Sequence, residues 1–251
     1  MRLTVLGGCG GWPAAGLACS GYLVEHEGFR LLIDPGYAIL PRLLTVADAD
    51  AVDAVLVSHG HPDHCADLNP LLRARAMQDE PPAALPVFAP AGALGPVLAL
   101  DRPGMLDDAI ALREFTPGDR LEVGPFGLCS WSLPHWMPNA GLRLEASGQV
   151  LAYTGDSGPS PLLAELARGA DVFLAEATEP WQLAGSEARY LSTARQAGEV
   201  AREAGAGRLV LTHLWPGTDR EEAVRAAAVS YPGEIAVAIP GLVAEPGLHG
   251  E

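Results

Sequence analysis

Ala54-Val55-Leu56-Val57-Ser58-His59-Gly60-His61-Pro62-Asp63-His64 runs from a short apolar stretch into four metal-binding side chains within six residues. The apolar run reads as a buried strand, and Ser58 to Pro62 reads as the turn that ends it. In such a turn the alternate His59 and His61 aim their imidazoles at one ion, while Asp63 and His64 face a second. The chain has only seven histidines, so three in one hexapeptide mark a site rather than a polar turn. Asp63 is also a favoured helix N-cap. With Cys65, Leu68, Leu71, Leu72, Ala74 and Met77 at near-helical spacing, it predicts a helix over 63–77.

A dinuclear site needs about three protein ligands per metal and a shared solvent molecule, so further ligands are expected far along the chain. His135 follows the strand-like run 126–133 and is bounded by Pro134 and Pro138, which predicts a rigid loop. His213 ends Leu209-Val210-Leu211-Thr212, another strand-like run. His26 sits in an alternating stretch as a solvent-facing strand residue, and His249 sits in a Gly-rich tail, so neither is a candidate. Asp156, between Gly155 and Gly158 after the run 150–154, offers a carboxylate that bridges two cations or shapes a turn. Asp34, in Leu31-Leu32-Ile33-Asp34-Pro35-Gly36, orients a ligand histidine from behind or makes a turn of its own.

These segments, together with Leu3-Thr4-Val5-Leu6-Gly7-Gly8, Ser20-Gly21-Tyr22-Leu23 and Glu176-Ala177-Thr178, resemble in order the motifs of metallo-β-lactamase-fold hydrolases. The resemblance implies an α/β, four-layer αββα sandwich of two mixed sheets with its site along one edge. It implies His59, His61, His135 and Asp156 as ligands of one metal, and Asp63, His64, His213 and Asp156 as ligands of the other. True β-lactamases generally lack the bridging aspartate that Asp156 supplies. The chain is more similar to the phosphodiesterase branch, above all to actinobacterial cyclic-nucleotide phosphodiesterases and more distantly to tRNA 3′-processing endonucleases. It departs from the latter at Ala175 and Leu191, where those enzymes carry histidines. Glu176 then either accepts from a ligand histidine or satisfies backbone donors.

Composition favours a small substrate. Sixteen cationic side chains, all arginine, face thirty-one acidic ones, for a net charge of −15. Nucleic-acid binding needs a basic surface to neutralise phosphates, so a nucleic-acid partner is not expected. Arg73, Arg75, Arg143, Arg189 and Arg195 are read as solvated or paired rather than as a patch. With 251 residues, 49% of them hydrophobic, residues 1–251 are expected to form one domain around a large core. No signal peptide or membrane span is evident, and Cys9, Cys19, Cys65 and Cys129 lack C-x-x-C spacing, so reduced thiols, a cytoplasmic location and no membrane partner are expected. Cys65 reads as a buried helical cysteine. A homodimer is a family-based expectation.

The expected reaction is phosphodiester cleavage, of a cyclic nucleotide or another small phosphodiester, by a hydroxide bridging two divalent metals, with Asp63 orienting or deprotonating it. Zinc suits the histidine-rich set, and manganese or iron fit the same donors. A lactonase or other ester hydrolase with a pathway-specific substrate and a tRNA 3′-processing endonuclease are the alternatives. Residues 105–120 and 181–190 are expected to shape the pocket, with Trp136, Met137 and Trp181 as stacking or wall residues, and Tyr153 and Tyr190 as oxyanion donors or packing.

Overall fold

Short runs rich in Val, Leu and Ile, buried on both faces, become the strands that the sequence predicts. The computed structural model describes residues 1–245, and His249 lies outside them. The strands are β1 (Arg2–Gly7), β2 (Gly21–His26), β3 (Phe29–Ile33), β4 (Ala54–Leu56), β5 (Leu85–Pro90), β6 (Ile110–Phe115), β7 (Arg120–Val123), β8 (Phe126–Leu133), β9 (Asn139–Ala146), β10 (Gln149–Tyr153), β11 (Val172–Glu176), β12 (Arg208–Thr212), β13 (Glu234–Val237) and β14 (Val243–Ala244). They form two mixed seven-stranded sheets, ordered β14-β1-β2-β3-β4-β5-β6 and β13-β12-β11-β10-β9-β8-β7.

Alternation along each strand builds the layers. In β3, Leu31 and Ile33 enter the core between the sheets with Tyr22, Phe126, Tyr153 and Leu174. Leu32 points the other way, into an outer cluster with Ile39, Leu43, Leu68 and Leu72. Those partners come from α1 (Ile39–Leu43) and, after α2 (Pro62–Cys65), from α3 (Leu68–Ala76). α4 (Gly95–Leu98) follows β5. On the far side, Phe173, Leu209 and Leu211 pack on residues of α5 (Leu162–Leu166), α6 (Ala194–Ala204) and α7 (Arg220–Ala228). The result is the expected αββα sandwich. No helix among the described residues is long and apolar enough to cross a membrane.

The predicted 63–77 helix is divided. Asp63 does not cap it: His61 occupies the N-cap position and Pro62 stands at the first turn, where its missing N–H is harmless. Asp67 breaks the run, its N–H bonded to the Pro35 carbonyl and its carboxylate accepting from Leu40 N at 2.7 Å. Pro70 then has no N–H to return to Ala66. The sequence also hides β6, β7, β9 and β14, whose Ala, Gly and charged residues weaken a strand signal. Residues 105–120 were expected at the pocket, but much of that stretch is the edge strand β6, paired in parallel with β5.

The carboxyl ends of β3, β4, β8, β10 and β12 are followed by Asp34, His59, His135, Asp156 and His213. The fold thus delivers side chains from both sheets to one edge, where strand ends of α/β folds commonly place a site. Gly36 holds the approach: a Cβ there would lie 1.8 Å from the Asp63 carbonyl oxygen. Gly36→Ala is expected to destabilise the protein by about 1–3 kcal/mol through overpacking, lowering Tm by about 2–4 °C per kcal/mol. An unchanged melting curve would contradict this packing.

Candidate metal centre

The structure brings all seven predicted ligands together. His59, His61, His135 and Asp156 form one group and Asp63, His64, Asp156 and His213 a second, with the donor atoms of each group within 4.8 Å of one another. Asp156 belongs to both. Its Oδ2 lies 3.8 Å from His59 Nε2, 3.9 Å from His135 Nε2 and 3.1 Å from His213 Nε2, and its Oδ1 lies 3.2 Å from His64 Nε2. Asp63 Oδ2 lies 3.3 Å from His213 Nε2 and accepts from Gly11 N at 2.8 Å. His59, Asp63, His64, Asp156 and His213 are buried, His61 is half-buried, and His135 buries its side chain while its backbone is partly exposed.

Each histidine but His61 is oriented by a hydrogen bond behind it. Asp34 is the main anchor, accepting from Ser58 N at 2.7 Å, Ser58 Oγ at 2.6 Å, Tyr153 Oη at 2.8 Å and His64 Nδ1 at 2.8 Å. Asp34 has φ +49°, and His213 has φ +60°. Non-glycine residues adopt such backbone at an energetic cost when their surroundings require it. Because Ser58 Oγ donates to Asp34, it accepts from His59 Nδ1 at 3.0 Å. Thr178 Oγ1 donates to Glu176 Oε1 at 2.7 Å and so accepts from His213 Nδ1 at 3.1 Å. His135 Nδ1 donates to the Tyr190 carbonyl at 3.0 Å. These four bonds leave Nε2 of His59, His64, His135 and His213 facing the centre.

Glu176 therefore acts through Thr178, and it also accepts from Ser157 N and Ser192 N. The sequence reading missed Thr178, Ser58 and the Gly11 N–H. Ser58 and Thr178 adjoin named motif residues, the signal available for them. Tyr153 is fully buried and donates to Asp34, which excludes the oxyanion role considered for it. His26 bonds Ser147 at the end of β2, its ring packed on Phe126 rather than facing solvent. Cys65 is buried and donates to the His61 carbonyl. Of the five arginines weighed for a patch, Arg73, Arg143 and Arg195 pair with Asp101, Glu145 and Glu199, and Arg75 bonds carbonyls within the fold.

Residues 29–214 match the family model of the β-lactamase superfamily domain. The chain belongs to the β-lactamase superfamily. It is 31% identical over 248 residues to the probable metallo-hydrolase YhfI of Bacillus subtilis, covering 98% of this chain and 100% of YhfI. The crystal structure of YhfI superposes with a TM-score of 0.88, at 30% identity over 97% of this chain and 99% of that one. Ribonuclease Z of Methanopyrus kandleri is 32% identical over 279 residues, with 95% of each chain covered. A diphosphatase of the PhnP family shares the fold, with a TM-score of 0.74 and 21% identity over 100% of this chain and 99% of that one. As a member of this hydrolase superfamily, the protein presents a cluster able to bind metal ions.

Three observations show that the cluster fits cations. His59 Nε2 and His135 Nε2 both lie 3.0 Å from His61 Nδ1. One proton on His61 satisfies only one of these contacts, leaving lone pairs opposed. Nitrogens bound tetrahedrally to one zinc ion sit ~3.4 Å apart, close to this spacing. The buried His64 Nε2 and Asp156 Oδ1 lie 3.2 Å apart as an ion contact, yet neither makes a well-formed hydrogen bond, a condition that bound metal would relieve.

Electrostatics separate the two groups. Burial holds His59, His61 and His135 below the ordinary histidine range. Burial also opposes charge on His64 and His213, but the Asp156 and Asp63 carboxylates outweigh it, raising His64 well above its usual value and His213 to about 10. Burial opposes charge on Asp63 and Asp156 as well, yet those imidazoliums hold both carboxyls below their usual range. Burial and the Asp156 charge push Glu176 up to about 8, against its Ser157 and Thr178 donors.

Two predictions follow from this arrangement. Asp34→Asn exchanges one carboxylate oxygen for an NH2 group, so the side chain no longer accepts from all four of its donors, His64 Nδ1 among them. The variant is expected to weaken metal affinity about 10- to 100-fold, as read by competition with a fluorescent chelator; unchanged affinity would contradict the anchoring role. A raised histidine is charged below its folded-state pKa, and His213, raised to about 10, is therefore protonated in metal-free protein at pH 7.5, with His64 shifted in the same direction. Metal loading at that pH is expected to release protons. Calorimetry in buffers of different ionisation enthalpy measures this, and a buffer-independent heat would contradict it.

Proposed function

We infer that this protein is a dinuclear metal-dependent phosphodiesterase acting on a small phosphodiester such as a cyclic nucleotide. The observation that carries the reading is Asp156, whose Oδ2 lies 3.8 Å from His59 in one group and 3.1 Å from His213 in the other, while Oδ1 lies 3.2 Å from His64. Divalent ions held there would lower the pKa of water to supply a nucleophile and offset phosphoryl charge. Zinc suits seven nitrogen and oxygen donors that include five imidazoles, and manganese or iron(II) suit them also.

The chain's own residues set the geometry. His59, His61 and His135 would hold one ion, Asp63, His64 and His213 the other, and Asp156 both. Asp63 is the residue we assign to orienting the nucleophile. Its carboxyl is held below the usual range by neighbouring positive charge, and metal ions would act in the same direction. It therefore accepts a hydrogen bond rather than storing a proton. Gly11 N–H fixes the same oxygen from outside.

Substrate size follows from charge. At −15 the chain repels a polyanion, whereas one diester charge is matched by the ions themselves. The likeness to ribonuclease Z supports phosphodiester chemistry. Ala175 and Leu191 are apolar and buried, so they offer no proton donor for RNA cleavage. All four cysteines are free thiols, consistent with a cytoplasmic setting.

Metal-loaded protein is expected to hydrolyse bis(p-nitrophenyl) phosphate and 3′,5′-cyclic AMP, and His61→Ala to lower kcat/KM by more than about 100-fold. No turnover with two metals bound, or equal rates in the variant, would overturn the reading and favour lactones and carboxylic esters.

A further inference from the structure

Three of the chain's five tryptophans stand exposed: Trp12 and Trp136 at 52% and Trp181 at 43%. Indole is a large apolar surface that proteins mostly bury, so such exposure beside a site marks a contact surface. Two of the three belong to aromatic pairs, and each pair is fixed to a different half of the metal centre.

Trp136 lies 5.1 Å from the His135 ring and packs on Tyr190 with 5.1 Å between centroids and 40° between planes. Tyr190 is anchored in turn, because its carbonyl accepts from His135 Nδ1. Trp12 packs on Trp215 at 6.1 Å and 42°. That pair is tied to the second group: Gly11 N donates to Asp63 Oδ2, Gly10 N donates to the Leu214 carbonyl, and a Cβ on Gly10 would lie 2.7 Å from His213 Nδ1. Trp12 and Trp215 also line an open cavity of about 460 Å³ with Glu179, Asp219 and Glu222. Carboxylates there repel a further phosphate, yet they accept hydrogen bonds from the amino groups of a nucleobase.

We propose that Trp12 with Trp215, and Trp136 with Tyr190, are stacking platforms for two flat groups, one on each ester arm of the substrate. Resting on the phosphodiesterase reading, this names the substrate class as a dinucleoside monophosphate: two nucleosides joined by one phosphodiester. Aromatic platforms suit any nucleobase, because every base has a π-face. In the reaction one water adds across a P–O ester bond. The water oxygen stays on phosphorus, the leaving oxygen takes a proton, and the products are one nucleoside and one nucleoside monophosphate. Longer RNA is disfavoured, since each added nucleotide brings another phosphate to the acidic rim.

The test compares adenylyl-(3′→5′)-adenosine, 3′,5′-cyclic AMP and methyl p-nitrophenyl phosphate on metal-loaded wild type, Trp12→Ala and Trp136→Ala. Both substitutions fall at exposed positions. Wild type is expected to prefer the dinucleoside, and each variant to lose that preference over methyl p-nitrophenyl phosphate by about 5- to 150-fold, chiefly through KM. Quenching of tryptophan fluorescence on mixing with the dinucleoside, which needs no turnover, is expected to weaken in each variant. Hydrolysis of methyl p-nitrophenyl phosphate with the dinucleoside preference unchanged in both variants overturns the inference and leaves the phosphodiesterase reading standing. No hydrolysis of any diester overturns both. Tighter binding of a long RNA than of the dinucleoside also overturns the inference.

Discussion

Five imidazoles and two carboxylates converge on one small buried volume, and their electrostatics govern how the rest of the site is built. His61 Nδ1 meets two other ring nitrogens at 3.0 Å, a contact that protons alone do not satisfy. Asp156 and Asp63 answer part of the problem by favouring the charged forms of His64 and His213. His64 Nε2 and Asp156 Oδ1 then face each other at 3.2 Å outside hydrogen-bond geometry, so the metal-free cluster is incompletely satisfied. Divalent cations are the chemistry that completes it.

The surrounding fold holds these groups at close range. Asp34 gathers a strand-end serine, a core tyrosine and His64 on one buried carboxylate. Thr178 does the same between Glu176 and His213. Because the supports come from both sheets, the inter-sheet core and the site are mechanically one unit. Positive φ at Asp34 and His213 is held at the strand ends where the site is built.

The histidine motif and the short apolar runs were legible because their signal is local: alternation, burial on both faces and a ligand-dense turn. The places of His135, Asp156 and His213 in the cluster were also legible, since each residue directly ends or closely follows a strand-like run. What stayed hidden depends on contacts distant in sequence. The break before α3 is set by Asp67 reaching Pro35 and Leu40, neither of which periodicity can see. Tyr153 invited a catalytic reading because its partner, Asp34, lies 119 residues away. The pairing of Trp12 with Trp215 gave no signal until the fold placed them together.

The most direct measurement is a metal titration of chelator-stripped protein, following bound metal by plasma mass spectrometry and phosphodiester hydrolysis in the same samples. The account predicts that activity rises with loading and saturates at two ions per chain. Full activity in stripped protein, or saturation at two ions with no hydrolysis, would contradict it.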